Sequence, residues 1–263
     1  MSEAILKVDK VSMHFGGLKA VDNVSFDINQ GEILSLIGPN GAGKTTVFNV
    51  ITGVYTPTLG NVTFKGVNLN LLKPYKVTSL GIARTFQNIR LFAQLTVLEN
   101  ILLAMHCRRK TNLLESVFKL PRYRYETKEC IQKAEELLDY MGLLGEKLEQ
   151  AQNLPYGKQR KLEIARAMAT DAELLLLDEP AAGMNPQETQ ELMGLIRQIR
   201  KDLNKTIFLI EHDMKLVMGI SDRIIVFDHG QLIAEGLPEE IRANKRVIEA
   251  YLGKEVEDNA ETE

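Results

Sequence analysis

Ile33-Leu34-Ser35-Leu36-Ile37 runs without a break into Gly38-Pro39-Asn40-Gly41-Ala42-Gly43-Lys44-Thr45-Thr46. The first five residues are a short, mostly apolar run of the kind that a buried strand makes. Beyond the glycines, Val47, Phe48, Val50 and Ile51 suit a helix from Lys44 to Thr52. The order is strand, loop, helix, and the loop satisfies G-x-x-x-x-G-K-[ST] without departure. Such a loop needs glycine because its backbone N–H groups must turn inward and approach phosphate oxygens closely, where a Cβ would obstruct them; Gly41 and Gly43 supply that freedom. The positive end of the helix favours the anion. Lys44 can reach the outer phosphates, Thr45 can offer a hydroxyl to Mg²⁺, and Thr46 can add another oxygen. Gly38 through Thr46 therefore read as a phosphate cradle, with every residue of the stretch (Pro39, Asn40 and Ala42 included) a candidate ATP contact.

A second strand ends in acids. Leu174-Leu175-Leu176-Leu177 delivers Asp178 and Glu179 at its C-terminal end, where ligands collect in open α/β sheets. Asp178 suits Mg²⁺, an ion that takes oxygen ligands and keeps waters, and Glu179 suits the polarisation of the water that attacks the γ-phosphate. Ile207 to Ile210 is followed by Glu211-His212-Asp213 on the same predicted rim. His212 can sense the γ-phosphate there, although a lone histidine is more often structural. With Ile224 to Phe227, these runs and the helical stretch Gln187 to Lys201 predict buried parallel strands with crossover helices.

Around this core, residues 5 to 37 alternate apolar and polar positions and predict a β-rich opening with turns at Gly16-Gly17 and Gln30-Gly31. From about Asn88 to Ala169 the pattern turns helical, with predicted helices over Val97 to Met105, Lys128 to Met141 and Gln159 to Met168. Glu255 to Glu263 is polar and acidic and is expected to fray. The chain has 263 residues, 44% of them hydrophobic and 25% charged, which is ordinary globular usage. No window approaches the roughly 18 apolar residues of a spanning helix. Met1 to Lys10 lacks a secretory pattern, so the expected location is the cytoplasm. Cys107 and Cys130 lack metal-ligand spacing. The net charge of −3 argues against a nucleic-acid partner, and the basic run from Arg108 to Lys128 reads as a solvated face.

Taken together, these stations resemble the nucleotide-binding subunits of ABC transporters, and the resemblance covers Phe15 to about Gly253. It implies an α/β fold of the P-loop ABC type: a mixed, largely parallel sheet core, an antiparallel β subdomain and an inserted α-helical subdomain. Residues 1–254 would be one ATPase domain, with 1–87 and 170–254 as the nucleotide core, 88–169 as the helical part and 255–263 as the tail. It implies that Phe15 stacks on adenine, that Gln87 links the ATP site to the helical part, helps to hold Mg²⁺ and acts beside Glu179 and His212 in catalysis, and that ATP and Mg²⁺ are the cofactors. Leu154-Pro155-Tyr156-Gly157-Lys158 stands where the family reads Leu-Ser-Gly-Gly-Gln, the signature that contacts the ATP of the opposite subunit. Only Leu154 and Gly157 match. Pro155 has neither a hydroxyl nor an N–H, so the Gly157 N–H and the helix start would carry that contact. Ala182, Gly183, Met184 and Asn185 occupy the dimer-contact loop, with Asn185 where aspartate is usual.

The nearer resemblance is to the ATPases of branched-chain or hydrophobic amino-acid importers, through Gly81 to Gln87, Thr96 to Asn100, Ala182 to Pro186 and Glu249 to Gly253. It implies a peripheral subunit on the inner face of the cell membrane. Its partners would be two transmembrane permease subunits docking near Gln87 to Phe92, a second ATPase chain (a sister or a second copy) and, indirectly, an external solute-binding protein. Leu91 and Phe92 are the expected docking anchors. The alternatives are the ATPase of a lipopolysaccharide or other lipid exporter, or a soluble ABC ATPase outside transport.

Overall fold

The computed structural model describes residues 4–105 and 121–250, with side chains described from residue 125 in the second segment. Cys107, the basic residues Arg108, Arg109, Lys110 and Lys119, the stretch Tyr251-Leu252-Gly253 and the acidic tail lie outside the described residues. The chain forms β1 (Ala4–Phe15), β2 (Leu18–Asn29), β3 (Ile33–Ile37), α1 (Lys44–Ile51), β4 (Leu59–Phe64), β5 (Val67–Asn68), α2 (Pro74–Leu80), β6 (Ile82–Arg84) and α3 (Val97–Met105). It continues through α4 (Pro121–Tyr140), α5 (Tyr156–Met168), β7 (Leu174–Asp178), α6 (Pro186–Leu203), β8 (Thr206–Ile210), α7 (Met214–Ile220), β9 (Arg223–Asp228), β10 (Gln231–Gly236) and α8 (Pro238–Ala243).

Two sheets result. The opening strands make an antiparallel sheet in the order β2-β1-β4-β5. The other sheet has the order β10-β9-β3-β8-β7-β6, parallel except for β10 at its edge. All five residues of β3, β7 and β8 are buried, as strands covered on both faces require. Because these three strands run the same way, their C-terminal ends share one edge. That edge carries Gly38, Glu179 and Glu211.

Side-chain alternation divides the core. Ile33, Leu175, Leu177, Ile207 and Leu209 pack with Ile101, Leu138, Leu162 and Ile196 from α3 to α6. Their neighbours Leu34, Leu36, Leu174, Leu176, Phe208 and Ile210 pack with Val47, Phe48 and Ile51 of α1 and with Leu6, Val24 and Ile28 of the antiparallel sheet. A one-residue slip would exchange the two faces. The helical part thus shares a continuous core with one face of the parallel sheet.

Helix α3 covers Val97–Met105, the span that the apolar spacing predicts, and the residues before it, 88–96, are irregular. Thr96-Val97-Leu98-Glu99 is a capping box: the Glu99 N–H donates to Thr96 Oγ1 (3.1 Å) and the Thr96 N–H to Glu99 Oε2 (2.8 Å). Buried Asn100 then clamps the incoming loop, accepting from the Phe92 N–H at 3.0 Å and donating to the Phe92 carbonyl at 3.1 Å. Helix α5 starts at Tyr156, three residues before the expected Gln159, because Pro155 takes the extended cap conformation and the Gln159 N–H reaches back to its carbonyl.

Candidate active site

The phosphate loop has the geometry that its composition implies. Gly43, at φ 98°, caps α1; a Cβ there would lie 2.4 Å from the Ala20 carbonyl oxygen. Gly41, at φ 79°, has no neighbour within 4 Å of a built Cβ, so its side of the loop is open. Lys44 is buried and donates to the carbonyls of Gly38 (2.7 Å) and Pro39 (2.8 Å), which fixes its ammonium inside the loop. No side chain caps α1. Its first-turn N–H groups are therefore directed to the loop, together with the exposed Thr45 and half-buried Thr46. Phe15 is 41% exposed at the end of β1, and its ring meets Tyr55 edge-on at 5.2 Å.

The carboxylates have separate environments. Asp178 is buried, and its Oδ2 accepts from Arg84 Nη2 at 2.6 Å; Arg84 Nη1 donates to Asn49 of α1, also at 2.6 Å. Glu179 follows β7 with φ 46°, a left-handed conformation that a non-glycine residue holds only at a cost. Its N–H donates to the Ile210 carbonyl at 2.9 Å. This turn aims the carboxylate at two partners: Gln87 Nε2 donates to Oε2 at 2.7 Å, and His212 Nε2 lies 2.8 Å from Oε1. Gln87, Glu179 and His212 are thus one cluster, assembled from three segments.

The triplet after β8 divides its work. Glu211 is buried and accepts from the N–H groups of Ala181 (2.8 Å) and His212 (3.0 Å). Burial pushes its pKa up, against the lowering effect of these hydrogen bonds, and nearby Glu179 adds to the rise. His212 meets Glu179, and Asp213 caps α7 by accepting from the Lys215 and Leu216 N–H groups. Among the described residues no group of three or more His, Cys, Asp or Glu side chains could hold a metal. Thr45, Asp178 and Gln87 carry the oxygen donors that Mg²⁺ takes, an ion that relies on few protein ligands and completes its shell with waters and phosphates.

In the signature stretch, Leu154 is buried in the core, Pro155 is the N-cap of α5 without a side-chain cap, and Gly157 lies in the first turn. Lys158 pairs with Glu146 of its own chain. Tyr156 OH donates to the Ala182 carbonyl at 2.8 Å, and a Cβ on Gly183 would come within 3.4 Å of the Tyr156 ring. Asn185 begins α6 with a capping box: its side chain accepts from the Gln187 and Glu188 N–H groups, both at 3.0 Å. Met184 packs partly against the core.

Sequence reasoning passed over Arg84, Tyr55, Arg160, Glu163 and Glu211. Arg84 had a signal, an arginine inside Gly81 to Gln87 three positions before the glutamine; β6 pairs Arg84 with Leu176, which brings it beside the acid-bearing strand end.

A family model described as "ABC transporter" matches residues 21–182, a span that takes in the phosphate loop, Gln87, the signature stretch and Glu179. The chain belongs to the ABC transporter family. A second model, for a branched-chain amino acid ATP-binding cassette transporter, matches residues 231–257. The high-affinity branched-chain amino acid transport ATP-binding protein LivG of Salmonella typhimurium is 53% identical over 254 residues, 97% of this chain and 100% of that protein. Among solved structures, the ADP conformation of an ATP-binding cassette of an ABC transporter is 31% identical with a TM-score of 0.84, covering 96% of this chain and 100% of the other. A dimeric ATP-binding cassette in a post-hydrolysis state, bound to ADP and Pi, is 26% identical with a TM-score of 0.75, covering 89% and 98%. The expected α/β class with its mixed sheets holds, and as a member of this family the chain is an ATP-binding cassette ATPase.

Proposed function

We propose that the chain energises import of branched-chain or other hydrophobic amino acids by hydrolysing ATP between Gly38–Thr46 and the signature stretch of a second ATPase subunit. The observation that carries the chemistry is the Gln87–Glu179–His212 cluster at the end of β7. The fit of the LivG relative over its whole length supports amino-acid import over lipid export or a soluble role.

Bound Mg²⁺ would supply charge neutralisation at the β- and γ-phosphates, held by Thr45, Asp178 and Gln87. Arg84 holds Asp178 through Oδ2, so that one carboxylate oxygen is committed and the other can serve the ion. Glu179 polarises the attacking water and takes its proton. His212 and Gln87, both on its carboxylate, orient it toward the γ-phosphate. Lys44 and the first-turn N–H groups of α1 hold the phosphates, and Phe15, supported by Tyr55, stacks on the base.

The second subunit, a sister chain or a second copy, completes the site through its own first turn of α5. The dimeric cassette bound to ADP and Pi supports this arrangement. For the permease subunits, a groove of about 310 Å³ is lined by Arg84, Phe92, Leu103, Glu163 and Arg166, among others. Phe92 is 50% exposed with the Arg166 guanidinium 5.5 Å from its ring centre, whereas Leu91 packs partly on the core, so Phe92 is the anchor of the two. No helix among the described residues is long and apolar enough to cross a membrane. As the ATP-binding subunit of an importer, like the LivG relative, the chain would act as a peripheral subunit on the inner face, with an external binding protein choosing the solute.

Glu179→Gln tests the catalytic assignment. Phosphate release is expected to fall by roughly 10²- to 10⁴-fold, with ATP binding retained and an ATP-bound dimer visible on gel filtration. Wild-type hydrolysis would sink it. Leucine uptake by vesicles carrying the co-purified membrane subunits tests the solute; ATP-dependent lipid release without uptake would overturn import.

A further inference from the structure

Arg160 is the largest fully buried side chain described, at 0% exposure. A guanidinium that deep must be matched by acceptors or it is strongly destabilising. Its acceptors come from several segments. Nη1 donates to the Phe86 carbonyl (2.7 Å) and Glu163 Oε2 (2.8 Å); Nη2 donates to the Gln87 carbonyl (2.8 Å) and the Tyr156 hydroxyl (3.1 Å). Nε has no hydrogen-bond partner, so burial here carries a cost that packing alone does not explain. Glu163 completes the clamp from the same helix, its Oε1 accepting from the N–H groups of Phe86 (3.3 Å) and Arg90 (3.2 Å). The loop from Phe86 to Arg90 is thereby fastened to α5 by both N–H and C=O groups. Tyr156 carries the connection on through its hydrogen bond to the Ala182 carbonyl.

Gln87 is therefore held at two places: its backbone by Arg160, its side chain on Glu179. We propose that Arg160, with Glu163 and Tyr156, is a positioning bracket that makes the first turn of α5 and the loop at Ala182 move with Gln87. Resting on the two-subunit reading above, the bracket links the glutamine that meets this chain's own ATP to the helix start that meets the partner's. Planar guanidinium contacts to two successive carbonyls fix orientation as well as distance, which a lysine cannot do. The same bracket gives Tyr156 a task in a signature that has lost its serine.

The test is amide hydrogen exchange on the full chain, kept dilute enough to remain monomeric, with and without Mg²⁺ and a non-hydrolysable ATP analogue. In the wild type, ligand should slow exchange at 38–46 and also at 156–159 and 182–184. Arg160→Lys should retain the response at 38–46 and lose it at 156–159. Tyr156→Phe, which removes one hydroxyl and preserves the core, should lose it at 182–184. The bracket is overturned if both variants respond as the wild type does, or if the wild type responds at 38–46 alone. If Arg160→Lys does not fold, Tyr156→Phe decides. Absence of any slowing at 38–46 would instead overturn the nucleotide reading itself, so the two failures are distinct.

Discussion

Glu211 shows how a single buried acid couples loop geometry to pH. Its folded-state pKa is raised above the ordinary glutamate value of 4.5, chiefly by burial. As pH rises through the ordinary value, the unfolded chain releases this proton before the folded chain does. The folded state then binds more protons, and the contribution of Glu211 to stability falls until pH passes the raised pKa. Glu211→Gln removes that fall. Urea midpoints measured from about pH 4 upward should decline less steeply in the variant than in the wild type; parallel curves would show that the raised pKa has no weight in folding. The same residue orients the turn beyond Glu179, since Ala181 and His212 both donate to it. The left-handed φ of Glu179 is held by this surrounding network.

At the scale of elements, helix starts divide by task. Helix α6 is closed by its own side chains, with Asn185 accepting from Gln187 and Glu188 and Glu188 returning to the Asn185 N–H at 3.0 Å. Asn185→Ala should cost about 1 kcal/mol in urea unfolding. A change within about 0.2 kcal/mol would mean that water replaces the cap fully. This cap shows what asparagine keeps in a loop where the family commonly has aspartate: its acceptor serves α6 as a carboxylate would. Helices α1 and α5 lack side-chain caps, as does α2 with its Pro74 start, and α1 and α5 are the two starts to which the proposed function assigns phosphates, one from each ATP.

At the scale of the molecule, Phe208 joins the layers. It lies on β8, fully buried, 4.9 Å from the Phe48 ring of α1 and 5.6 Å from the Phe26 ring of β2. Phe208→Ala should lower stability by about 3–5 kcal/mol and weaken nucleotide binding, because Phe48 on the phosphate helix loses its support. Equilibrium unfolding with fluorescent-ATP titration checks both; unchanged affinity at lower stability would separate the helix from the core. Much of this architecture was legible beforehand. The phosphate loop and the acid-bearing strand are read from consecutive residues, because covalent order alone places glycines before a lysine and two acids after an apolar run. Short apolar runs announced β3, β7 and β8, and helical spacing announced α6, for the same local reason. Strands β5 and β6 are too short to show a period, and the irregular stretch at 88–96 depends on Asn100 clamping it from the following helix. Arg84 on Asp178, Arg160 on Phe86 and Gln87, and Glu211 beneath Ala181 join residues 94, 74, 73 and 30 positions apart. Such pairs exist only once parallel strands bring their ends to one edge and α5 is packed beneath it. Their partners are backbone groups and single charges that leave no period in the chain, so burial and hydrogen bonding in the assembled fold had to choose them.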